Sequence, residues 1–224
     1  MKLFLKIKVK DIIMIYLLFD FETTGINFEN KTIPQRAIQL AWIIVNTDLP
    51  KQKIVKSENF MISGQTEINT DFHTDLTVEQ LNTHGLAAKI VIEKFHTDVT
   101  YVIQNGGVLV AHNIDFDYRI YKNEMLIETG KMIELVAKQR FCTMRNTIEY
   151  CKLPSKYQAR YDLRNTKKQK ANYKFPKLIE LYVTLFNRKP TVKLHDAMND
   201  VMVTMQCFEE LRKRNIITDN KIWY

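Results

Sequence analysis

The sequence is poor in cysteine and in glycine. It has 3 cysteines and 6 glycines among 224 residues, and Cys142, Cys151 and Cys207 lie far apart without forming a C-x-x-C pair. An odd, sparse set of cysteines argues against a disulfide framework and against a structural zinc site. We therefore expect free thiols and a reducing compartment, which predicts a cytoplasmic protein.

Long apolar runs are also missing. The apolar stretch nearest the N-terminus, residues 12–19, has eight residues, whereas a membrane-spanning helix needs about 20. It leads directly into acidic residues, without the small-residue cleavage site of a signal peptide. A buried β-strand explains it better, and residues 1–13 could be a flexible lead-in. We expect no association with membranes.

The composition indicates a folded and basic protein. Apolar residues make up 46% of the chain, and the length suffices for a domain with its own core, so we predict one domain over residues 1–224. The formal net charge is +8. Such a charge is typical of proteins with a polyanionic partner, but it can also reflect no more than a solvated basic surface.

The order of predicted elements indicates the fold class. Three strands come first, and their short connections predict an antiparallel meander, because a parallel pair would need a long crossover. These strands cover residues 14–20, 37–46 and 53–62. Helices follow these strands: one is predicted over 77–84, a longer one runs from there to about 104, and the others cover 114–127, 143–151, 175–186 and 196–214. Two further short strands lie among the helices, one at 108–111 and one before Cys142. The pattern predicts an α/β domain with a central five-stranded mixed sheet flanked by helices.

Three groups of acidic residues carry the chemistry, and the first ends the first strand in the motif D-x-E-T-T-G. Asp20 and Glu22 are two residues apart in a strand, so their side chains project from the same face. Two adjacent carboxylates repel each other unless a cation lies between them, and Mg²⁺ or Mn²⁺ prefers such oxygen ligands. The alternative is an acidic strand end at the surface, followed by a turn.

The second group lies where the short strand at 108–111 passes into a helix. Asp117 follows Phe116, which should face the core, so Asp117 is expected at the border of the buried face. Asp115 lies nearer the start of the helix, where a carboxylate can cap free N–H groups. We therefore predict that Asp115 is a cap, that Asp117 is a ligand, and that His112 and Asn113 brace the turn.

The third group begins the last helix. If Asp196 is the N-cap, His195 lies in the preceding loop and Asp200 lies one turn into the helix. Asp200 precedes Val201, a member of the helix's apolar stripe, which places Asp200 at a border of the core. Alone, this motif is an ordinary helix start.

Together, the three motifs resemble those of the DEDDh exonucleases of the ribonuclease-H-like superfamily. The family pattern is D-x-E-T-T-G, then H-N-x-x-F-D, then H-x-A-x-x-D, and each occurs here in order. The resemblance covers residues 14–214. It implies a ribonuclease-H-like fold and a 3′→5′ exonuclease that releases nucleoside 5′-monophosphates with two Mg²⁺ or Mn²⁺ ions.

The resemblance also implies a role for each motif residue. Asp20 would bridge both ions, Glu22 and Asp200 would hold the ion on the side of the nucleophile, and Asp117 would serve the other ion. His195 would take the proton from the attacking water, as a neutral imidazole can near pH 7. The turn at Thr23 and Thr24 would offer backbone N–H groups to the terminal 3′-hydroxyl.

A basic segment lies between the second and third motifs. Residues 152–177 hold nine lysines or arginines and one acid, with tyrosines interleaved among the charges. Cations for phosphates and aromatic faces for bases suit a single-strand-binding surface; the alternative is a solvated loop. The substrate contacts predicted here are Tyr161, Arg164, Lys167, Lys168 and Lys170.

The substrate predicted from these features is the 3′ end of a nucleic acid, single-stranded and preferably DNA. An exonuclease that trims RNA ends is the alternative among enzymes, because the same five residues serve that reaction. A non-catalytic nucleic-acid-binding module is the alternative outside enzymes, and the intact set of four acids and one histidine argues against it. The sequence gives no indication of protein partners.

Overall fold

The computed structural model describes residues 15–25, 35–47, 53–68, 74–155 and 173–217. Within this part of the chain, the strands form one mixed six-stranded sheet in the order β4-β3-β2-β1-β5-β6. The strands are β1 (Ile15–Thr23), β2 (Ala37–Asn46), β3 (Lys53–Ser63), β4 (Leu86–Ala87), β5 (Val108–Ala111) and β6 (Arg140–Cys142).

The strand pairing confirms the predicted meander. β1 pairs antiparallel with β2, and β2 pairs antiparallel with β3, while β5 lies parallel to β1 and β6 lies parallel to β5. The sheet has six strands rather than five because β4 pairs with the end of β3. A strand of two residues is too short to show an alternating pattern, and the sequence therefore gave no signal for it.

Helices follow the strands in the predicted order. They are α1 (Val78–His84), α2 (Ala88–Gln104), α3 (Ile114–Thr129), α4 (Thr143–Asn146), α5 (Ile148–Cys151), α6 (Leu178–Phe186) and α7 (Ala197–Lys213), with a 3-10 turn at Ala137–Gln139. Thr77 caps α1 in a capping box, and Asp196 caps α7, as predicted. Among the described residues, no helix is long and apolar enough to cross a membrane.

Two predicted helices have different bounds. The helix predicted over 143–151 is divided at Thr147, which ends α4 and precedes α5. The helix predicted from residue 175 begins at Leu178, so Pro176 lies before its first turn. The carbonyl of Pro176 instead contacts His112 Nε2 at 3.0 Å, and the Glu180 side chain accepts the N–H of Lys177 at 2.8 Å.

Helices cover both faces of the sheet. Leu17 and Phe19 of β1 pack in an apolar cluster with residues of α2 and α3, while Tyr16 and Leu18 pack in a second cluster with residues of α6 and α7. Successive residues of a strand point to opposite faces, so a strand covered on both faces is apolar throughout. This burial explains why the first two strands are continuous apolar runs in the sequence.

A partly buried ion pair fixes α3 to the start of β2. Glu124 of α3 is 1% exposed and accepts hydrogen bonds from Arg36 Nε at 3.0 Å and from the Ala37 N–H at 2.8 Å. The second guanidinium nitrogen of Arg36 also pairs with Glu128, one turn further along α3. A charge-assisted pair with additional hydrogen bonds is geometrically specific, so α3 has a defined position beside the end of β1.

Candidate active site

The acidic residues of the three motifs meet at the end of β1. Asp20 and Glu22 lie among the last four residues of β1. Asp117 lies in the first turn of α3, and Asp200 lies in the first turn of α7. All four carboxylates and His195 line one cavity of about 550 Å³. The structure therefore brings together all five residues that were predicted from the three motifs.

Asp117 reaches the end of β1 because α3 starts immediately after β5. β5 runs parallel to β1, so the chain leaving β5 emerges at the same edge of the sheet as Asp20 and Glu22. The N–H of Phe21, between these two acids, donates to Asp117 Oδ1 at 3.1 Å. Asp117 is 2% exposed and is therefore held by β1 itself.

The start of α7 brings the other two residues. Asp196 Oδ1 caps the helix by accepting the N–H of Asn199 at 3.0 Å, and His195 precedes it with φ of 70°. This left-handed conformation is uncommon for a residue with a side chain. It directs the N–H of His195 to Asp200 Oδ2 at 3.3 Å, which ties the histidine to the carboxylate one turn into the helix.

One carboxylate oxygen of the cluster has no protein donor. Asp200 Oδ1 is buried and has no hydrogen-bond partner among the described residues. Possible ligand atoms of Glu22, His195 and Asp200 all lie within 4.8 Å of one another. Since a buried carboxylate oxygen without a partner is costly, this oxygen and its neighbours suit a bound cation.

The charges of the cluster oppose one another. Burial raises the pKa of Asp20 well above its usual value, and the charges of Asp117, Asp200 and Glu22 raise it further. Burial and then the charges of Asp200 and Asp117 raise the pKa of Glu22 to about 8. The cluster therefore holds protons near neutral pH when no cation neutralises it.

The other two carboxylates behave similarly. Burial raises the pKa of Asp117 to about 7 against the opposing hydrogen bond from Phe21, and burial followed by the charge of Asp196 raises the pKa of Asp200 to about 7. A set of carboxylate oxygens with one imidazole fits a hard divalent cation such as Mg²⁺ or Mn²⁺. The residues present thus fit the ions that the motifs predict.

His112 connects the end of β5 to two other segments of the chain. Its Nδ1 lies 3.0 Å from the Thr143 hydroxyl and its Nε2 lies 3.0 Å from the carbonyl of Pro176. A carbonyl can only accept, so Nε2 carries the proton. Burial lowers the pKa of His112 to about 4, and the ring is therefore neutral while it connects three segments that line or support the cavity.

Asp115 is not the predicted cap. Asn113 is the N-cap of α3, and it makes no side-chain cap hydrogen bond. Asp115 instead forms an ion pair with Arg145 of α4 and does not line the cavity. The prediction failed because the partner of Asp115 comes from a helix that lies 30 residues away in the sequence.

In the turn after β1, one of the two predicted amide donors is already used within the protein. The Thr23 hydroxyl donates to the carbonyl of Gly25 at 2.6 Å, and the Thr24 N–H donates to the carbonyl of Arg36 at 2.9 Å. Neither threonine lines the cavity. The amide of Thr24 is already used within the sheet end, so it does not fit the prediction that it binds a terminal 3′-hydroxyl.

The predicted contacts of the basic segment, Tyr161, Arg164, Lys167, Lys168 and Lys170, lie outside the described residues. The two flanks of the segment are described and lie together. Pro154 and Tyr173 form an antiparallel bridge, and the Lys174 N–H donates to the carbonyl of Leu153 at 2.9 Å. The residues that follow, 175–177, line the cavity.

The apolar wall of the cavity was not predictable from the sequence. The side chains that form it are Phe116, Met144, Phe175, Leu178 and Leu194. Phe175 is 53% exposed. No periodic pattern could have identified this wall, because its members come from four separate segments of the chain.

The chain is similar to known exonucleases in sequence pattern and in fold. A family model named RNase_T and described as Exonuclease matches residues 17–208, while none of the curated proteins matches the sequence. A solved structure of exonuclease I is similar with a TM-score of 0.63 and 16% identity, covering 91% of this chain and 42% of that chain. The zinc-ion-bound form of an E. coli exonuclease I complex with single-stranded DNA gives a TM-score of 0.59 and 17% identity, covering 90% and 41%.

A third similar structure is cell-death related nuclease 4, with a TM-score of 0.56 and 21% identity, covering 89% of this chain and 64% of that chain. Of the exonuclease I chains, in contrast, this chain spans only about two fifths of the length. At these identities the similarity shows the fold, and it confirms the predicted ribonuclease-H-like α/β architecture. Because the family model matches from β1 to α7, the chain belongs to the RNase_T exonuclease family.

Proposed function

We propose that the chain is a metal-dependent 3′→5′ exonuclease of the DEDDh type. It hydrolyses the phosphodiester bond at the 3′ end of a nucleic acid, for which we favour single-stranded DNA, and releases nucleoside 5′-monophosphates. The observation that carries this proposal is the convergence of four carboxylates and one histidine in a single cavity. Membership of the exonuclease family supports it.

The carboxylates are proposed to hold two Mg²⁺ or Mn²⁺ ions. Asp20, whose pKa is raised by burial and by the charges of the other three acids, would contact both ions; Glu22 and Asp200 would hold one, and Asp117 the other. Such an ion pair supplies positive charge that stabilises the attacking and leaving oxygens of the phosphodiester. The raised pKa values of these carboxylates support the assignment, because the cluster needs positive charge to be fully ionised.

His195 is proposed as the general base that takes a proton from the attacking water. It lies in a loop at the cavity edge, and its backbone is tied to Asp200. A neutral imidazole can accept a proton near pH 7. The alternative role for His195 is that of a further cation ligand, because its ring lies near Glu22 and Asp200.

The apolar residues that line the cavity would receive the terminal nucleoside. Side chains such as Phe175 and Leu194 can contact a base and a sugar, and Lys177, which also lines the cavity, can pair with a phosphate. The basic segment would continue this surface, because its flanks lie at the bridge of Pro154 and Tyr173. The complex of E. coli exonuclease I with single-stranded DNA supports a single-stranded substrate.

A degradation assay tests the proposed function. Single-stranded DNA and RNA labelled at the 5′ end are incubated with the protein and Mg²⁺ or Mn²⁺, each with a 3′-hydroxyl or a 3′-phosphate. We expect stepwise shortening of DNA with a free 3′-hydroxyl, resistance of the 3′-phosphate, and no reaction in a chelator. Faster shortening of RNA would select the RNA-trimming alternative, and equal cutting of circular and linear strands would refute the exonuclease polarity.

Two substitutions separate the roles of ligand and base. Asp200→Ala should lose at least about 10²-fold in kcat, on the scale of one lost electrostatic element, and should also weaken Mn²⁺ binding measured by calorimetry. His195→Ala should lose turnover while its Mn²⁺ affinity stays near that of the wild type. Asp115→Ala is the matched control, because this acid pairs with Arg145 outside the cavity, and its kcat should be unchanged.

Wild-type kcat in a folded Asp200→Ala protein would remove the cluster from the mechanism. A loss of Mn²⁺ affinity in His195→Ala as large as in Asp200→Ala would instead assign His195 as a cation ligand.

The metal-free protein should lose stability as the pH rises from about 5 to about 8. The cluster has raised pKa values in the folded state, with Glu22 at about 8, so the folded protein binds protons that the unfolded chain has released. The free energy of unfolding therefore falls with pH in this window. Urea unfolding at a series of pH values, without metal, measures it.

Glu22→Gln removes one of these titrating groups and should flatten the slope, while added Mn²⁺ should restore stability at pH 8. A stability difference between Glu22→Gln and the wild type that does not change over this pH range would contradict the raised pKa of Glu22.

A further inference from the structure

Gln39 is a buried polar residue in an otherwise apolar strand. It lies in β2 directly opposite Glu22 of β1 in the antiparallel register, and it is 3% exposed. It does not line the cavity. A carboxamide that is removed from water must find hydrogen-bond partners inside the protein, and the partners of Gln39 connect it to the start of α7.

The carboxamide of Gln39 makes two hydrogen bonds to α7. Its Oε1 accepts the N–H of Ala197, the first residue of the helix, at 3.1 Å. Its Nε2 donates to Oδ2 of Asp196, the N-cap, at 2.9 Å. A third hydrogen bond runs from Nε2 to Asn59 Oδ1 in β3 at 3.1 Å. Both donor hydrogens and the acceptor of the amide are therefore used.

These bonds fix the helix start at two adjacent points. A single hydrogen bond would allow the helix to turn about it, whereas a donor and an acceptor on one planar group define both its position and its orientation. His195 directly precedes Asp196, the N-cap. The N–H of Asp200 donates to the carbonyl of Asp196 at 2.9 Å. The position of Gln39 therefore determines the positions of both His195 and Asp200.

We propose that Gln39 is a positioning residue of the active centre, which sets the placement of Asp200 and His195 relative to Glu22. The proposal rests on the proposed exonuclease function of the same site. Gln39 stands one strand away from Glu22 and holds the element that carries the facing carboxylate. A displacement of about 1 Å at a reacting centre can cost about 10²-fold in rate, so the loss of this link should reduce kcat strongly.

The effect should fall on kcat and on cation affinity rather than on KM. Gln39 does not line the cavity, and its three hydrogen bonds go to Asn59, Asp196 and Ala197, so its replacement should leave the substrate contacts intact. A residue with a purely structural role would lower the stability of the protein, but the folded fraction would keep its kcat and its Mn²⁺ affinity. These two quantities therefore separate a positioning role from a structural one.

Reversing the donor and the acceptor gives the sharpest test. In Gln39→Glu the new carboxylate faces the Asp196 carboxylate without a donor between them, and kcat should fall about 10-fold to 100-fold. Adding Asp196→Asn supplies a donor from the helix side, and an asparagine caps a helix as well as an aspartate does. The double variant has the net charge of the wild type and should recover most of the lost kcat.

Gln39→Met is the second loss variant, because it keeps the side-chain length and removes all three hydrogen bonds without adding charge. Its kcat and its Mn²⁺ affinity, the latter measured by calorimetry without nucleic acid, should both fall while KM changes little. Asn59→Ala is the matched control. It removes one hydrogen bond of Gln39 but leaves both bonds to α7, so its kcat and Mn²⁺ affinity should equal those of the wild type.

Urea unfolding of every variant confirms that the folded state is being measured. Folded Gln39→Met with wild-type kcat and Mn²⁺ affinity would overturn the proposal, and so would a double variant no more active than Gln39→Glu. A wild-type protein that neither binds Mn²⁺ nor degrades any 3′ end would instead refute the proposed function, which makes the two failures distinguishable.

Discussion

The mutual repulsion of carboxylates buried at the end of β1 is the constraint on which the rest of the site depends. Four acids share one cavity, and burial together with neighbouring charges raises the pKa of each of them. Isolated carboxylates would move apart or take up protons. Here backbone amides hold two of them in place: the N–H of Phe21 donates a hydrogen bond to Asp117, and the N–H of His195 donates one to Asp200.

The elements that carry these acids are anchored away from the cluster. β1 is covered on both faces by apolar side chains, and α3 is fixed to β2 through the hydrogen bonds of Arg36 and Ala37 with Glu124. The start of α7 is held by the carboxamide of Gln39. The scaffold therefore keeps the carboxylates close without relying on any attraction between them, which is the arrangement that a preorganised cation site requires.

The parts of this fold that follow from local patterns were predictable from the sequence. Alternation along a strand placed Asp20 and Glu22 on one face, and the N-cap rule placed Asp196 at the start of the last helix. Contacts between distant segments were not predictable. The position of Asp115 near a helix start predicts a cap, but its partner is Arg145 on another helix. The Thr24 amide is predicted to bind substrate, but it donates to the carbonyl of Arg36.

Gln39 is predictable from the sequence as an unusual residue but not in its contacts. A polar residue within an apolar strand is a visible signal, yet nothing local indicates that its partners lie on α7, more than 150 residues further along the chain. The segment before α6 gives a similar case, because the carbonyl of Pro176 accepts a hydrogen bond from His112, which lies 64 residues earlier in the sequence. Residue types and spacing thus identified the five motif residues that meet in the cavity, while long-range hydrogen bonds determine their geometry.

The most direct measurement of the central claim is anomalous diffraction from crystals of the protein grown with Mn²⁺ and a nucleoside 5′-monophosphate. If the carboxylate cluster binds two cations, the map will show two anomalous peaks about 3.5–4 Å apart, with Asp20 between them and Asp200 Oδ1 contacting one. The absence of any peak at the cluster under saturating Mn²⁺, while the four carboxylates keep the positions described above, would contradict it.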